Sequence, residues 1–107
     1  MTNKKIFSLL GLATRSRNVV SGEFMTEKSV KEGTAKLVIV AEDASDNTKK
    51  EFSDMCSYRK VPYAVMGTKE ELGKSMGKEM RASLSITDQG FAEAVIKLLQ
   101  EVVQIHG

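Results

Sequence analysis

Several residue types that commonly mark a particular chemistry are nearly missing from this sequence. It contains no tryptophan, one proline, one cysteine (Cys56) and one histidine (His106). One cysteine and one histidine are too few for a protein zinc site, so we expect no metal. A lone cysteine also excludes a disulfide within the chain, which is typical of proteins from reducing compartments. We expect Cys56 to be a small, buried core residue rather than a reactive one.

Long hydrophobic runs are also missing. The longest, Leu37–Ala41, is far shorter than the roughly 20 residues that a membrane-spanning helix needs. The N-terminus has basic residues before an apolar stretch, as a signal peptide does, but Arg15 and Arg17 follow without a small-residue cleavage site. We therefore predict a first amphipathic helix, no membrane contact and a cytoplasmic, monomeric protein that forms one domain over residues 1–107.

Sequence motifs for catalysis or cofactor binding are not found. Leu72–Ser75 ends in Gly-Lys-Ser, but Thr68 stands where a phosphate-binding loop requires glycine. Glu42 and Asp43 follow a strand-like segment, where α/β proteins often bind ligands, yet turn formation and helix capping by Asp43 and Asp46 explain them more simply. The sequence predicts no enzyme and no cofactor.

Charge is unevenly distributed along the chain. The net charge is only +2, but residues 1–41 carry seven basic against three acidic residues and the remainder nine against eleven. This asymmetry is weak support for a surface that faces a polyanion, and an unevenly charged, solvated surface is the simpler explanation.

Helical and strand-like patterns alternate along the sequence. Gly33 is a natural helix stop, and Thr68 with Glu71 forms the pattern of a capping box. The predicted elements begin, in chain order, with a helix capped by Asn3, a strand over residues 18–21, a helix from Gly22 to about Glu32, a strand over Lys36–Ala41 and a helix after Asp43–Asp46. A strand over Pro62–Met66 follows, then a helix after Thr68 that frays into Gly73 and Gly77, and a strand over Ala82–Thr87 with Leu84 and Ile86 alternating. The last element is a helix capped by Asp88 that carries Phe91, Val95, Leu98, Leu99, Val102 and Val103 on one side.

This alternation predicts an α/β protein with helices on both faces of a central sheet. We expect a three-layer α/β/α sandwich with about four strands in a mixed sheet and about five helices.

Basic residues cluster at two places that this fold can bring together. Lys28 and Lys31 lie on the second helix, and Arg81 precedes the last strand. If the start of that helix lies beside residues 81–84, cations and helix N–H groups adjoin an apolar surface. RNA-binding proteins use the first two for phosphates and the apolar surface for splayed bases. The alternative is that Leu84 belongs to the core and the lysines are only solvated.

Several short segments, in this order, resemble the ribosomal L7Ae/L30e superfamily and, more narrowly, its small bacterial members of the YlxQ type. Each is weak alone, but together they cover nearly all of the chain. The segments are Leu10–Ala13, Val19–Gly22, Ala35–Ala44, Val61–Tyr63, Leu72–Gly73 with Gly77, and Thr87–Ala92.

The resemblance implies an α/β/α sandwich that binds kink-turn RNA, a duplex sharply bent at tandem sheared G·A pairs beside a short bulge. It also implies the site residues. The start of the second helix contacts the RNA, and residues 81–84 form the loop that covers the flipped bulge bases. The residues so assigned are Gly22, Glu23, Phe24, Met25, Lys28, Lys31, Arg81, Ala82, Ser83 and Leu84.

The sequence departs from the family at two of these positions. Gly22 and Lys28 match the family's helix start, Gly-x-Asn-Glu-x-x-Lys, but Phe24 and Met25 replace the two polar residues that contact the G·A bases. Their side chains do not hydrogen-bond base edges, and a good bidentate base contact is worth about 1–3 kcal/mol. Two roles remain for Phe24, stacking on a base and packing against its own domain. We predict a non-enzymatic RNA-binding protein of the ribosomal-protein type for kink-turn or similarly bent RNA. The alternative is a protein-interaction module on the same fold.

Overall fold

In a computed structural model, the backbone is described for residues 2–106 and the side chains for residues 3–101. Helices and strands alternate as the sequence predicts. They are α1 (Thr2–Arg15), β1 (Val19–Ser21), α2 (Glu23–Glu32), β2 (Leu37–Val40), α3 (Asp46–Arg59), β3 (Tyr63–Val65), α4 (Lys69–Ser75), β4 (Ser83–Ile86) and α5 (Gln89–His106). Val102 and Val103, which the sequence predicts on the apolar side of the last helix, lie outside the described side chains.

The four strands form one mixed sheet in the order β1-β4-β2-β3. β4 runs antiparallel to both neighbours, with Ser21 opposite Leu84 and Val40 opposite Ser83, whereas β2 and β3 are parallel. α2 packs against β1, β4 and α3, while α1 packs against α4 and α5. The predicted α/β/α sandwich with a mixed four-stranded sheet and five helices is therefore confirmed.

The two central strands are buried on both faces. Every residue of β2 and of β4 is buried, including Ser83 and Ser85. The predicted alternation of Leu84 and Ile86 in β4 places both in the core, and the intervening serines are buried as well because helices cover both faces of the sheet. Phe52 and Cys56 of α3 and Ile6 and Leu10 of α1 supply much of the remaining core, so the expected core role of Cys56 is confirmed.

Local capping explains several element boundaries. Ser45 caps α3 by accepting a hydrogen bond from the Thr48 N–H (3.1 Å). Thr68 and Glu71 form the predicted capping box at the start of α4. Asp43 accepts from the Lys69 N–H (2.8 Å), so its carboxylate ties the turn after β2 to α4.

Three predicted boundaries need correction. Asn3 lies inside α1, which begins at Thr2, and does not cap it. Asp46 is the first residue of α3 rather than its cap. α4 continues through Gly73 to Ser75 instead of fraying at the glycine, and Gly73 lets the backbone of Glu79 approach the helix closely.

The helices of the described chain, residues 2–106, include none with the length and apolar character needed to cross a membrane.

Candidate nucleic-acid interface

The start of α2 is open to solvent and electrostatically positive. Gly22 precedes the helix with φ 92°, a conformation that favours glycine, and no side chain caps the first turn. The first N–H groups of a helix have no partner within the helix, and its dipole places a partial positive charge there. Glu23 adds an exposed carboxylate in this turn, which opposes an incoming anion.

The start of α2 lies directly beside the segment that leads into β4. The Gly22 N–H donates to the Ser83 carbonyl oxygen (3.0 Å), and the Arg81 Nε donates to Ser21 Oγ (3.1 Å). Residues that are 60 positions apart in sequence are thus joined at one edge of the sheet. The RNA-binding interpretation of the sequence requires the second helix to start beside residues 81–84, and the structure meets this condition.

A buried pair of hydroxyl groups links the start of α2 to the start of β4 beneath the exposed surface. Ser83 Oγ donates to Thr26 Oγ1 across 3.3 Å, and both residues are buried. Breaking such a pair leaves a buried polar group without its partner, which costs about 1–3 kcal/mol. The hydroxyl pair therefore holds the first turn of α2 against β4.

The loop between α4 and β4 is held by its backbone. The Arg81 N–H donates to the Lys69 carbonyl oxygen (3.0 Å), and Arg81 Nη1 donates to the Met80 carbonyl oxygen (3.0 Å). At Gly73, an added Cβ would lie 1.8 Å from the Glu79 carbonyl oxygen, so only glycine permits this close approach. The loop consequently presents Met80 and Arg81 from a fixed position.

Large apolar side chains are exposed in both segments. Phe24 is 76% exposed, Met25 41% and Met80 59%. These three are half of the six large hydrophobic residues that are exposed within the described side chains. Exposed apolar surface that gathers at one place commonly marks a binding surface.

The two lysines of α2 differ in their surroundings. Lys31 Nζ lies 2.7 Å from Glu27 Oε2, so part of its charge is neutralised within the helix. Lys28 is exposed, and among the described residues it forms no ion pair. Lys28 is therefore the lysine of this helix that is free to contact a phosphate.

The site residues predicted from the sequence fall into two groups. Glu23, Phe24, Met25, Lys28 and Lys31 are exposed, and Gly22, Arg81 and Ala82 are partly exposed. Ser83 and Leu84, at 1% and 0% exposure, begin β4 inside the core. Their side chains do not reach the surface, so they position the loop rather than offer a contact.

Met80, which belongs to the surface, and Ser21, which positions Arg81, are not among the residues predicted from the sequence. Met80 is the one large apolar residue in the polar stretch Gly77–Arg81, and that isolation was a usable signal. Ser21 receives the Arg81 side chain, and no local pattern indicates a contact over such a distance in sequence. We define the interface surface as Gly22–Met25, Lys28 and Met80–Ala82.

Comparison with known proteins supports the same architecture. The model of the "Ribosomal protein L7Ae/L30e/S12e/Gadd45 family" matches residues 4–96. The chain is 50% identical over 99 residues to "RNA-binding protein YlxQ" of Bacillus subtilis (strain 168), which covers 92% of this chain and 99% of the relative. It is 37% identical over 97 residues to "RNA-binding protein YlxQ" of Enterococcus faecium, covering 91% and 93%.

A solved structure of a protein with unknown function from Bacillus halodurans C has a similar fold. The two superpose with a TM-score of 0.87 at 38% identity, over 90% of this chain and 97% of the other.

Proposed function

The chain belongs to the ribosomal protein L7Ae/L30e/S12e/Gadd45 family, and from this premise we propose that it is a non-enzymatic RNA-binding protein. Its ligand in this proposal is a kink-turn or a similarly bent, structured RNA. The interface surface makes the contact, and in this proposal the protein acts in the cytoplasm as a single chain, because one chain supplies every residue of that surface.

The observation that carries this proposal is the junction between α2 and the loop before β4. The hydrogen bonds from Gly22 to Ser83 and from Arg81 to Ser21 bring helix N–H groups, two cationic side chains and apolar surface together. Phosphates suit the N–H groups and the cations, whereas unstacked bases suit the apolar side chains. A bent RNA with a bulge offers both.

Base recognition in this proposal rests on stacking more than on side-chain hydrogen bonds. Phe24 and Met25 occupy exposed positions on the first turn of α2 and offer no hydrogen bond to a base edge. A base stacked on an aromatic ring contributes about 1–3 kcal/mol with little regard to sequence. We expect good affinity for RNA with unpaired bases and a modest preference among sequences.

The test is a gel-shift titration with a kink-turn duplex and with the same duplex whose G·A pairs are replaced by Watson–Crick pairs. We expect the kink-turn to bind more tightly, because only the bent duplex exposes its bulge bases to Phe24 and Met80. Equal affinity for both duplexes would contradict recognition of the bend, and no binding to either would contradict RNA binding.

The exposed Phe24, Met25 and Met80 also favour a second function, a protein-interaction module on the same fold. Apolar side chains at 41–76% exposure suit a protein partner as well as an RNA base. A pull-down from extract with and without RNase separates the two functions. A partner that survives nuclease treatment and is lost on Phe24→Ala substitution supports the protein-interaction function.

A further inference from the structure

A second basic surface lies at the other end of α2. A cleft of about 480 Å³ opens between the C-terminal ends of α2 and α3. Its lining includes Lys36, Arg59 and Lys60, together with Val61, Pro62 and Gln89. We call it the α2–α3 cleft. None of its lining residues belongs to the interface surface.

The lining of the cleft carries a net positive charge. Its lining has three cationic side chains and no carboxylate. The C-termini of two helices contribute about half a negative charge each, which offsets roughly one of the three cations. Glu32 and Glu93 lie on the adjoining turns and are not part of the lining, although Glu93 Oε2 accepts a hydrogen bond from the lining residue Gln89 (3.0 Å). A net positive cleft remains.

Arg59 is held in place while part of its guanidinium stays free. Its Nη1 donates to the Lys31 carbonyl oxygen (3.1 Å), and its Cζ lies 5.8 Å from the centre of the Tyr58 ring. The remaining N–H groups match the paired oxygens of a phosphate. Tyr58, beside Arg59 in the chain, is 83% exposed, so its ring is available for stacking.

We propose that the α2–α3 cleft binds the phosphate backbone of an arm of the RNA that occupies the interface surface. This proposal rests on the proposed function, because the RNA in the cleft is the RNA that binds the interface surface. α2 has 10 residues and is therefore about 15 Å long, which separates the two surfaces by a short stretch of nucleic acid. Along α2, Lys28 is the residue of the interface surface nearest the cleft, and Lys31, which pairs with Glu27, lies between Lys28 and the cleft on an exposed turn.

The experiment compares two kink-turn RNAs, one with minimal arms and one whose arms are each extended by a helical turn. The variant K36Q/R59Q/K60G removes the three charges, and glycine suits position 60, where φ is 59°. We expect this variant to bind the extended RNA at least about tenfold more weakly and with a salt slope lower by about two to three. Its affinity for the minimal RNA should not change.

A matched control removes three exposed lysines elsewhere, as K5Q/K50Q/K97Q on α1, α3 and α5. It should bind both RNAs like the wild type, and circular dichroism should show both variants folded. Wild-type affinity of K36Q/R59Q/K60G for the extended RNA would overturn the proposal. An equal loss on both RNAs would also overturn it, since the cleft would then not contact a separate arm.

The outcomes distinguish this proposal from the proposed function. A wild-type protein that prefers the kink-turn but gains nothing from longer arms contradicts only the cleft. A protein that gains from longer arms in bent and straight duplexes alike contradicts only the recognition of the bend. A nuclease-resistant protein partner lost in K36Q/R59Q/K60G, with RNA binding unchanged, would reassign the cleft to protein binding and overturn the proposal.

Discussion

Single side chains at the interface surface divide into those that offer charge and those that offer apolar area. Lys28 stands free on α2, while Lys31 is engaged by Glu27 four residues earlier. Exposed pairs of this kind contribute little to stability, about 0.3–0.5 kcal/mol, but they occupy a cation. The two lysines, equivalent in the sequence, are therefore not equivalent as phosphate ligands.

Lys28→Ala should weaken RNA binding by about fivefold near physiological salt and lower the salt slope by about one, because one phosphate contact is lost. Lys50→Ala is the control, since Lys50 is an exposed lysine that pairs with Asp54 on α3. Titrations at several salt concentrations measure both. An unchanged slope in the Lys28 variant would show that the RNA binds elsewhere.

Phe24→Ala should weaken RNA binding by about 1–3 kcal/mol through lost base stacking, while the free energy of unfolding changes by less than about 0.5 kcal/mol. Phe52→Ala is the contrasting variant. Phe52 is 1% exposed, so its loss should lower the free energy of unfolding by about 3–5 kcal/mol. Urea denaturation and RNA titration give the two values. Full RNA affinity in Phe24→Ala would exclude stacking on this ring.

At the scale of elements, the loop before β4 depends on one close backbone approach. Gly73→Ala should displace Glu79 and Met80, since its Cβ would overlap the Glu79 carbonyl oxygen. We expect a stability loss of about 1–3 kcal/mol together with weaker RNA binding.

Gly33→Ala is the matched control for this substitution. Gly33 has φ 83° with open space around its Cβ, so alanine costs about 1–2 kcal/mol of backbone strain without moving the loop. With the minimal RNA, only Gly73→Ala should lose affinity. Equal affinity in the two variants would mean that the loop does not contact the RNA.

Local signals explain which elements the sequence predicts correctly. Gly33 ends α2 and Thr68–Glu71 caps α4 through contacts within a few residues, so both boundaries were predictable. The full burial of β4 was not, because its serines look like solvent-facing positions. Ser83 meets Thr26, 57 residues away, and only the assembled sheet shows that contact.

The interface surface shows the same division between local and distant information. Gly22, Lys28 and Arg81 carry signals in their own segments. The contact with Ser21 positions Arg81, and the pairing with Glu27 engages Lys31. The contact between Arg81 and Ser21 is a tertiary contact, which no sequence spacing predicts. The pairing of Lys31 with Glu27 follows the i, i+4 spacing of a helix and was predictable.

At the scale of the whole molecule, a buried thiol in the core makes the free energy of unfolding fall at alkaline pH. Burial raises the pKa of the Cys56 thiol from 9.0 to about 11. Between these values the unfolded chain loses this proton while the folded protein keeps it, so the free energy of unfolding falls as pH rises. Burial, and then Cys56, also raises the pKa of Tyr63, which acts in the same direction.

The free energy of unfolding should therefore fall more steeply between pH 9 and 11 in the wild type than in Cys56→Ala, by up to about 2–3 kcal/mol over this range. Below pH 9 the two proteins should differ by a constant amount. Urea denaturation at stepped pH measures this. Parallel curves up to pH 11 would contradict the burial of the thiol.

The central claim is that RNA lies on the surface formed by the start of α2 and the loop before β4. Backbone amide NMR during titration with the minimal kink-turn RNA tests it most directly. We predict shift changes at residues 22–28 and 80–83, and none at residues 47–54 of α3. Changes confined to α3 or α5, with residues 22–28 unaffected, would contradict the claim.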